Sequence, residues 1–319
     1  MLYTKRKEAA MSQLAQIRRS IKSIKTTKKI THAMRLVSMS LYSRLEGTQR
    51  GYDELRSYVR TLISRLIATS PEWTDEILIP QARFDSTPLI IFISTTKGLC
   101  GTFHNILARY FENKCPINKK SFIHQGGQDP FFITIGTRGT DFINKKIVEW
   151  NRGKIIKSYS EVTPSHTAKI SSDIVEAIYS AEKIFSSVTI YSNRFVNFFS
   201  HPPSITEVLP LTTTMEEHKP QVGKRSKFKK TPKEIDVTQE FVWEQEKDTT
   251  LRTIARQYVR IIVEEAIISS ITAEHSARFS SMDGATQNAT KMIDQLSIKA
   301  NKMRQALITK EVAELSSNL

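Results

Sequence analysis

Two long proline-free stretches at the ends of the sequence carry apolar residues at helical spacing, and between them short apolar runs alternate with further helical patterns. That order predicts an α/β fold: a long antiparallel coiled coil of N- and C-terminal helices with a central Rossmann-like α/β domain. The expected division is a flexible extension over 1–10, an N-terminal coiled-coil helix over 11–70, a central α/β domain over 71–237 and a C-terminal coiled-coil helix over 238–319.

Between Met11 and Ala68 there is no proline, and Gly47 and Gly51 are the only glycines. Leu14, Ile17, Ile21 and Ile24 step by three, four and three; Ile30, Met34, Val37, Leu41 and Leu45 continue by four, three, four and four. This is a narrow stripe with coiled-coil spacing. Pro71 ends it. Such a helix would run about 87 Å at 1.5 Å per residue, against about 11 residues for an average helix, so a globular domain cannot contain it.

The middle changes texture. The run from Pro88 to Ser94 reads as a buried strand, followed by a turn from Thr95 to Gly101 and a helix from Phe103 to Phe111. A second strand, FFITIG from Phe131, leads into a helix from Arg138 to Lys146. A helix from Ala168 to Phe185, a strand from Val188 to Tyr191 and an edge strand from Ile205 to Leu209 complete the series. Strands alternating with helices imply a largely parallel sheet. The segment 212–236 is polar, contains two prolines and carries a basic cluster from Lys224 to Lys230, the composition of a flexible loop.

Helical periodicity returns after Thr238. Leu251, Ile254, Tyr258, Ile261, Glu265 and Ile268 alternate steps of three and four, and Ile293, Leu296, Ala300, Met303 and Leu307 repeat the rhythm. The two stripes bury each other most simply as an antiparallel coiled coil, a rod projecting from the α/β domain.

Across 319 residues, 47 Lys and Arg against 32 Asp and Glu give a formal charge of +15, which calls for an acidic partner. No run of 18 apolar residues exists to span a bilayer. Cys100 and Cys115 fit neither a disulfide framework nor a metal clip, which suits a reducing compartment. The opening MLYTKRKEAA lacks the apolar core of a secretory signal and reads as an extension ahead of Met11.

Gly98-Leu99-Cys100-Gly101 follows a strand, yet it matches neither the dinucleotide fingerprint nor a phosphate loop, so it reads as a tight strand-to-helix turn. Cys100 lies four residues before His104 without an evident orienting third group, and reads as a small buried thiol. The seven histidines show no metal-ligand spacing. No catalytic, cofactor or metal residue is expected.

Arg18, Arg19, Lys22, Lys25, Lys28, Lys29 and Arg35 share a segment with no acidic residue. Seven unopposed cations repel one another and need an anionic surround. No aromatic residues interleave with them to stack on nucleic acid, and the narrow stripe lacks the Trp and Phe of a membrane-surface helix. An acidic protein sleeve is the favoured partner. The rivals are a basic coiled-coil nucleic-acid-binding adaptor, marked by a steep salt dependence, and a nucleotide enzyme using Gly98 to Gly101.

The segments IRRSIKSIKTTKKITHAMRLVSMS (17–40), ISTTKGLCG (93–101), AEHSARFSSMDGATQNA (273–289) and NKMRQALITKEVAEL (301–315) resemble, in order, the gamma subunit of F-type ATP synthases. The resemblance implies a noncatalytic central-stalk rotor. It would couple proton or sodium translocation to ATP synthesis or hydrolysis at alpha and beta sites, and would touch the epsilon subunit and the c-ring. It implies partner contacts at Lys29, Met34 and Arg35, and at Arg278, Arg304, Gln305, Thr309 and Glu311. It also implies a peripheral location, on the cytoplasmic face of a bacterial inner membrane or the matrix side of the mitochondrial one. The sequence departs from the family at His32, where lysine is frequent, at Thr96, where aspartate is usual, and at Asn318-Leu319, where Gly-Ala is usual.

Overall fold

The computed structural model describes residues 2–69, 87–115, 129–179, 185–209 and 246–317. Pro71, the basic loop at 212–236 and the expected start of the last helix near 238 lie outside them. The described elements run α1 (Leu2–Thr69), β1 (Thr87–Ile93), α2 (Phe103–Lys114), β2 (Phe131–Ile135), α3 (Thr137–Trp150), β3 (Lys154–Tyr159), α4 (Thr167–Tyr179), β4 (Phe185–Asn193), β5 (Pro203–Leu209) and α5 (Lys247–Ser317). Helix α1 starts at Leu2, ahead of the first periodic residue, because nothing from Leu2 to Ala10 is a glycine or proline.

The chain divides into two compact units, residues 42–274 and residues 1–41 with 275–319. The first is built on a five-stranded sheet of order β3-β2-β1-β4-β5. All neighbours pair in parallel except β4 and β5, the hairpin at the edge. Alternation along β1 sends Leu89, Ile91 and Ile93 into one core and Ile90 and Phe92 into the other. Both faces of β1 are covered, which is why its sequence is an unbroken apolar run.

On one face, Leu107 and Phe111 of α2 and Ile143 of α3 pack on Phe92 and Phe132. The Phe111 ring meets Phe92 and Tyr191 edge-on at centroid distances of 5.3 and 4.8 Å. On the other face, Ile170, Ile174 and Ile178 of α4 share a core with Leu45 and Ile63 of α1 and a long stretch of α5. Every α5 residue from Ile262 to Ala273 is buried, so here the helix is enclosed on all sides.

Strand β3 was not expected, because it lacks an apolar run: Lys154, Ile156, Lys157 and Ser158 are exposed. Its register against β2 defines it. The turn from β2 into α3 depends on Gly136, whose φ is +90° and where a Cβ would sit 2.6 Å from the Ser94 carbonyl oxygen. Gly136→Ala is expected to lower stability by at least about 1–3 kcal/mol from backbone strain, read as a lower urea midpoint.

The second unit is an antiparallel helix pair. Thr31 and Thr286 place their hydroxyl oxygens 2.8 Å apart, and Arg35 Nη1 donates to Asp283 Oδ1 at 2.5 Å, so rising numbers on α1 meet falling numbers on α5. The seam on α1 keeps strict heptad spacing through Leu14, Ile17, Ile21, Ile24, Lys28, Thr31, Arg35 and Ser38, all buried or half-buried. The expected stripe left that register by stepping six residues from Ile24 to Ile30. In the structure Ile30 is 55% and Val37 60% exposed. On α5 the seam runs through Met282, Thr286, Ala289, Ile293, Leu296, Ala300, Met303 and Leu307, as expected from Ile293 onward.

Candidate functional site

The helix-pair unit carries the residues of interest. At 3.6 residues per turn, α1 presents three separate sectors: the seam, a sector holding Arg18, Lys22, Lys25 and Lys29, and a sector holding Ile30, Met34 and Val37. Arg18, Arg19, Lys22, Lys25 and Lys29 are all exposed, and none enters an ion pair among the described residues. Exposed apolar side chains also stud α5, at Met292, Ile298, Ile308 and Val312. A basic side and an apolar side therefore both face outward from one helix pair.

The eight candidate contact residues fall into two groups. Lys29, Arg304, Gln305, Thr309 and Glu311 are exposed, and Met34 is half-buried in the apolar sector. Arg304 and Glu311 share a face at helical spacing and, with Leu307 and Ile308, border an open groove of about 490 Å³. Its other wall is Met11, Leu14, Ala15 and Arg18 of α1. Gln305 and Thr309, four apart, form a neighbouring row.

The second group points inward. Arg35 is held in the seam by Asp283 and lies with its guanidinium carbon 6.0 Å from the Phe279 ring centroid. Arg278 is 6% exposed, with Nη1 3.4 Å from His275 Nδ1. Arg35 thus ties α1 to α5, while Arg278 is buried beside His275 of its own helix.

Sequence reasoning missed the polar rungs Thr31, Thr286 and Asp283. Extending the heptad from Leu14 and Ile17 through Lys28 and Arg35 would have marked Thr31 as inward-facing, because spacing is kept where polarity is not. It also missed that Glu265, which the periodic stripe includes, is buried beside a second carboxylate, Glu264, in the α/β unit. Glu264 and Glu265 are 7% and 3% exposed. Burial pushes the Glu265 carboxyl up from the usual carboxylate range, and the Arg56 and Arg194 guanidiniums pull the other way.

The glycine turn is a well-tied corner. Leu99 and Gly101 adopt positive φ of 67° and 61°. Thr96 Oγ1 donates to the Ser160 carbonyl at 2.5 Å, and the Arg138 N–H donates to the Thr95 carbonyl at 3.3 Å. Cys100 Sγ lies 3.1 Å from His104 Nε2, and Ser94 Oγ lies 3.3 Å from His104 Nδ1, so the third group that the sequence did not reveal is present. The Cys100 side chain is buried, which makes this cluster a brace within the turn. Among the described residues no group of three His, Cys, Asp or Glu could hold a metal ion, and no helix is long and apolar enough to cross a membrane.

Comparisons with known proteins bear on this architecture. A family profile described as ATP synthase matches residues 13–318. The ATP synthase gamma chain of Paraburkholderia phymatum is 28% identical over 307 residues, covering 96% of this chain and 98% of that one. The ATP synthase gamma chain of Fusobacterium nucleatum is 27% identical over 310 residues, with the same coverage. Among solved structures, a chain of the Euglena gracilis mitochondrial ATP synthase rotor aligns with a TM-score of 0.60 at 14% identity, covering 93% of this chain and 99% of that one; it shares the fold. On the profile match across nearly its whole length, the chain belongs to the ATP synthase family, on the gamma-chain branch.

Proposed function

We propose that this chain is a noncatalytic central-stalk shaft, turned by ion flow through a membrane sector and driving alpha and beta catalytic sites through their states in sequence. The observation that carries the reading is the helix pair's outward surface, basic in one sector of α1 and apolar in another, with no ion pair to the basic residues from the rest of the described chain. A surface of that kind suits a sleeve of other subunits that supplies acidic and apolar groups.

Chemical difference around the shaft is what the mechanism needs. Three catalytic subunits of identical sequence around this helix pair would each meet a different sector. Each contact would favour one conformation by its own differential free energy, and turning the shaft would exchange those preferences. Lys29, Met34, Arg304, Gln305, Thr309 and Glu311 are the proposed contact residues. Arg35 acts from inside by tying α1 to Asp283 of α5, and the buried Arg278 completes the proposed set. Further partners are an epsilon subunit and a c-ring, and the proposed location is the cytoplasmic face of a bacterial inner membrane.

The combined change Arg304→Ala and Gln305→Ala tests the contacts, because both side chains are exposed and their loss leaves the seam intact. Helix content and melting of the isolated chain should stay unchanged, and ATP hydrolysis by the reconstituted complex should fall. Wild-type hydrolysis would remove these two residues from the contact set. Retention of the wild-type chain on DNA in preference to alpha and beta subunits would favour the nucleic-acid reading.

A further inference from the structure

The α/β unit joins the two terminal helices to the sheet through an apolar core and two adjacent buried carboxylates. Glu264 of α5 accepts from three directions: Tyr52 Oη of α1 at 3.0 Å, Ser171 Oγ of α4 at 2.8 Å and Arg260 Nε of its own helix at 2.9 Å. Glu265, the next residue, accepts from Arg56 Nη1 of α1 at 2.8 Å. One turn on, Ser269 Oγ accepts from the Phe195 N–H, in the connection between β4 and β5, at 2.9 Å. Beside Glu265 lies a polar cavity of about 30 Å³ lined by Arg56, Arg194, Ser192, Ser204 and Ser269 among others, room for about one water.

Apolar contacts are non-directional, so a helix held by them alone can turn about its axis by exchanging one set of rotamers for another. A buried carboxylate held from several elements cannot follow that motion. Any rotation or slide of α5 past α1 or α4 pulls Glu264 from Tyr52 and Ser171, leaving it Arg260 of its own helix, and pulls Glu265 from Arg56, so buried carboxylates lose donors in the core.

We infer that Glu264 and Glu265, with Tyr52, Arg56 and Ser171, form the joint that locks both terminal helices to the α/β layer, so that torque applied to one is delivered to the other without slip. This rests on the shaft reading above, and the residues act by positioning the helices, away from any reacting atom.

The test uses the assembled, membrane-reconstituted complex with Tyr52→Phe and Glu264→Gln chains, measuring ATP hydrolysis and ATP-driven ion pumping against increasing opposing gradients. The expected result is normal assembly and hydrolysis, with ions pumped per ATP falling about twofold or more at the steepest gradient, where a lost buried hydrogen bond is loaded. Exchanging the second pair, Arg56→Glu with Glu265→Arg, should retain more of the ratio than Arg56→Glu alone. A merely structural role would lower melting temperature and assembly yield yet leave the ratio of the assembled complexes equal to wild type at every gradient, and that result overturns the joint. Loss of the ratio in the variants alone supports it. Failure of the wild-type complex to pump at all would bring down the shaft reading and the joint with it.

Discussion

Leu296→Pro should remove the helix pair as a functional element. Leu296 lies in the α5 seam between Ile293 and Ala300, half-buried and far from either end of the 71-residue helix. Proline there deletes the N–H that would reach the Met292 carbonyl, and its ring collides with that carbonyl, a combined cost of about 3 kcal/mol or more. The damage spreads, because a kink swings Ala300, Met303 and Leu307 out of line with their partners on α1. Far-ultraviolet circular dichroism should show lost helix, and the variant should no longer copurify with alpha and beta subunits. Leu296→Ala, which trims the contact without touching the backbone, should assemble. Wild-type assembly by the proline variant would mean the seam does not hold the pair together.

Glu265→Ala should be among the strongly damaging single changes in the α/β unit. It leaves the Arg56 guanidinium, whose side chain is 18% exposed, without its buried carboxylate. Breaking a buried pair from one side costs about 3–5 kcal/mol, far more than the pair contributes over a well-packed apolar replacement. A companion pH effect follows from the raised carboxyl. The folded chain holds the Glu265 proton more tightly than the unfolded chain does, so this contribution to stability is complete below the ordinary value of 4.5 and is lost as pH rises through the folded value. Glu265→Gln should flatten that part of the stability profile. Urea titrations across a pH series read both effects, and an unchanged midpoint for Glu265→Ala would show that Arg56 finds water or another partner at no cost.

Strands buried on both faces were legible because their sequences are continuous apolar runs: β1 and β2 lie within a residue or so of their expected places. Edge strand β3 was not, since Lys154, Lys157 and Ser158 look like any exposed segment, and pairing with β2 alone makes a strand of them. On α1 the polarity signal and the spacing signal conflicted. Ile30 and Val37 attracted the stripe although Lys28, Thr31 and Arg35 keep the heptad. The outward position of those two apolar residues is itself informative, since it marks surface that a partner would cover. Of the contact residues, exposure at Lys29 and at the last turns of α5 is what a surface role needs. The inward turn of Arg35 depended on Asp283, a partner that only the fold brings close, whereas His275 lies one helical turn before Arg278 on α5.

The polar rungs of the helix pair set a limit on wear. Were one helix to creep past the other by seven residues, Thr31 would come opposite Phe279 or Ile293, and Arg35 opposite Ser276 or Thr290. A purely greasy seam would tolerate such telescoping, because one hydrocarbon layer resembles the next. Thr31 with Thr286 and Arg35 with Asp283 act instead as a keyway: each wrong notch forfeits a hydroxyl contact and an ion pair together. The pair is therefore keyed to a single axial setting.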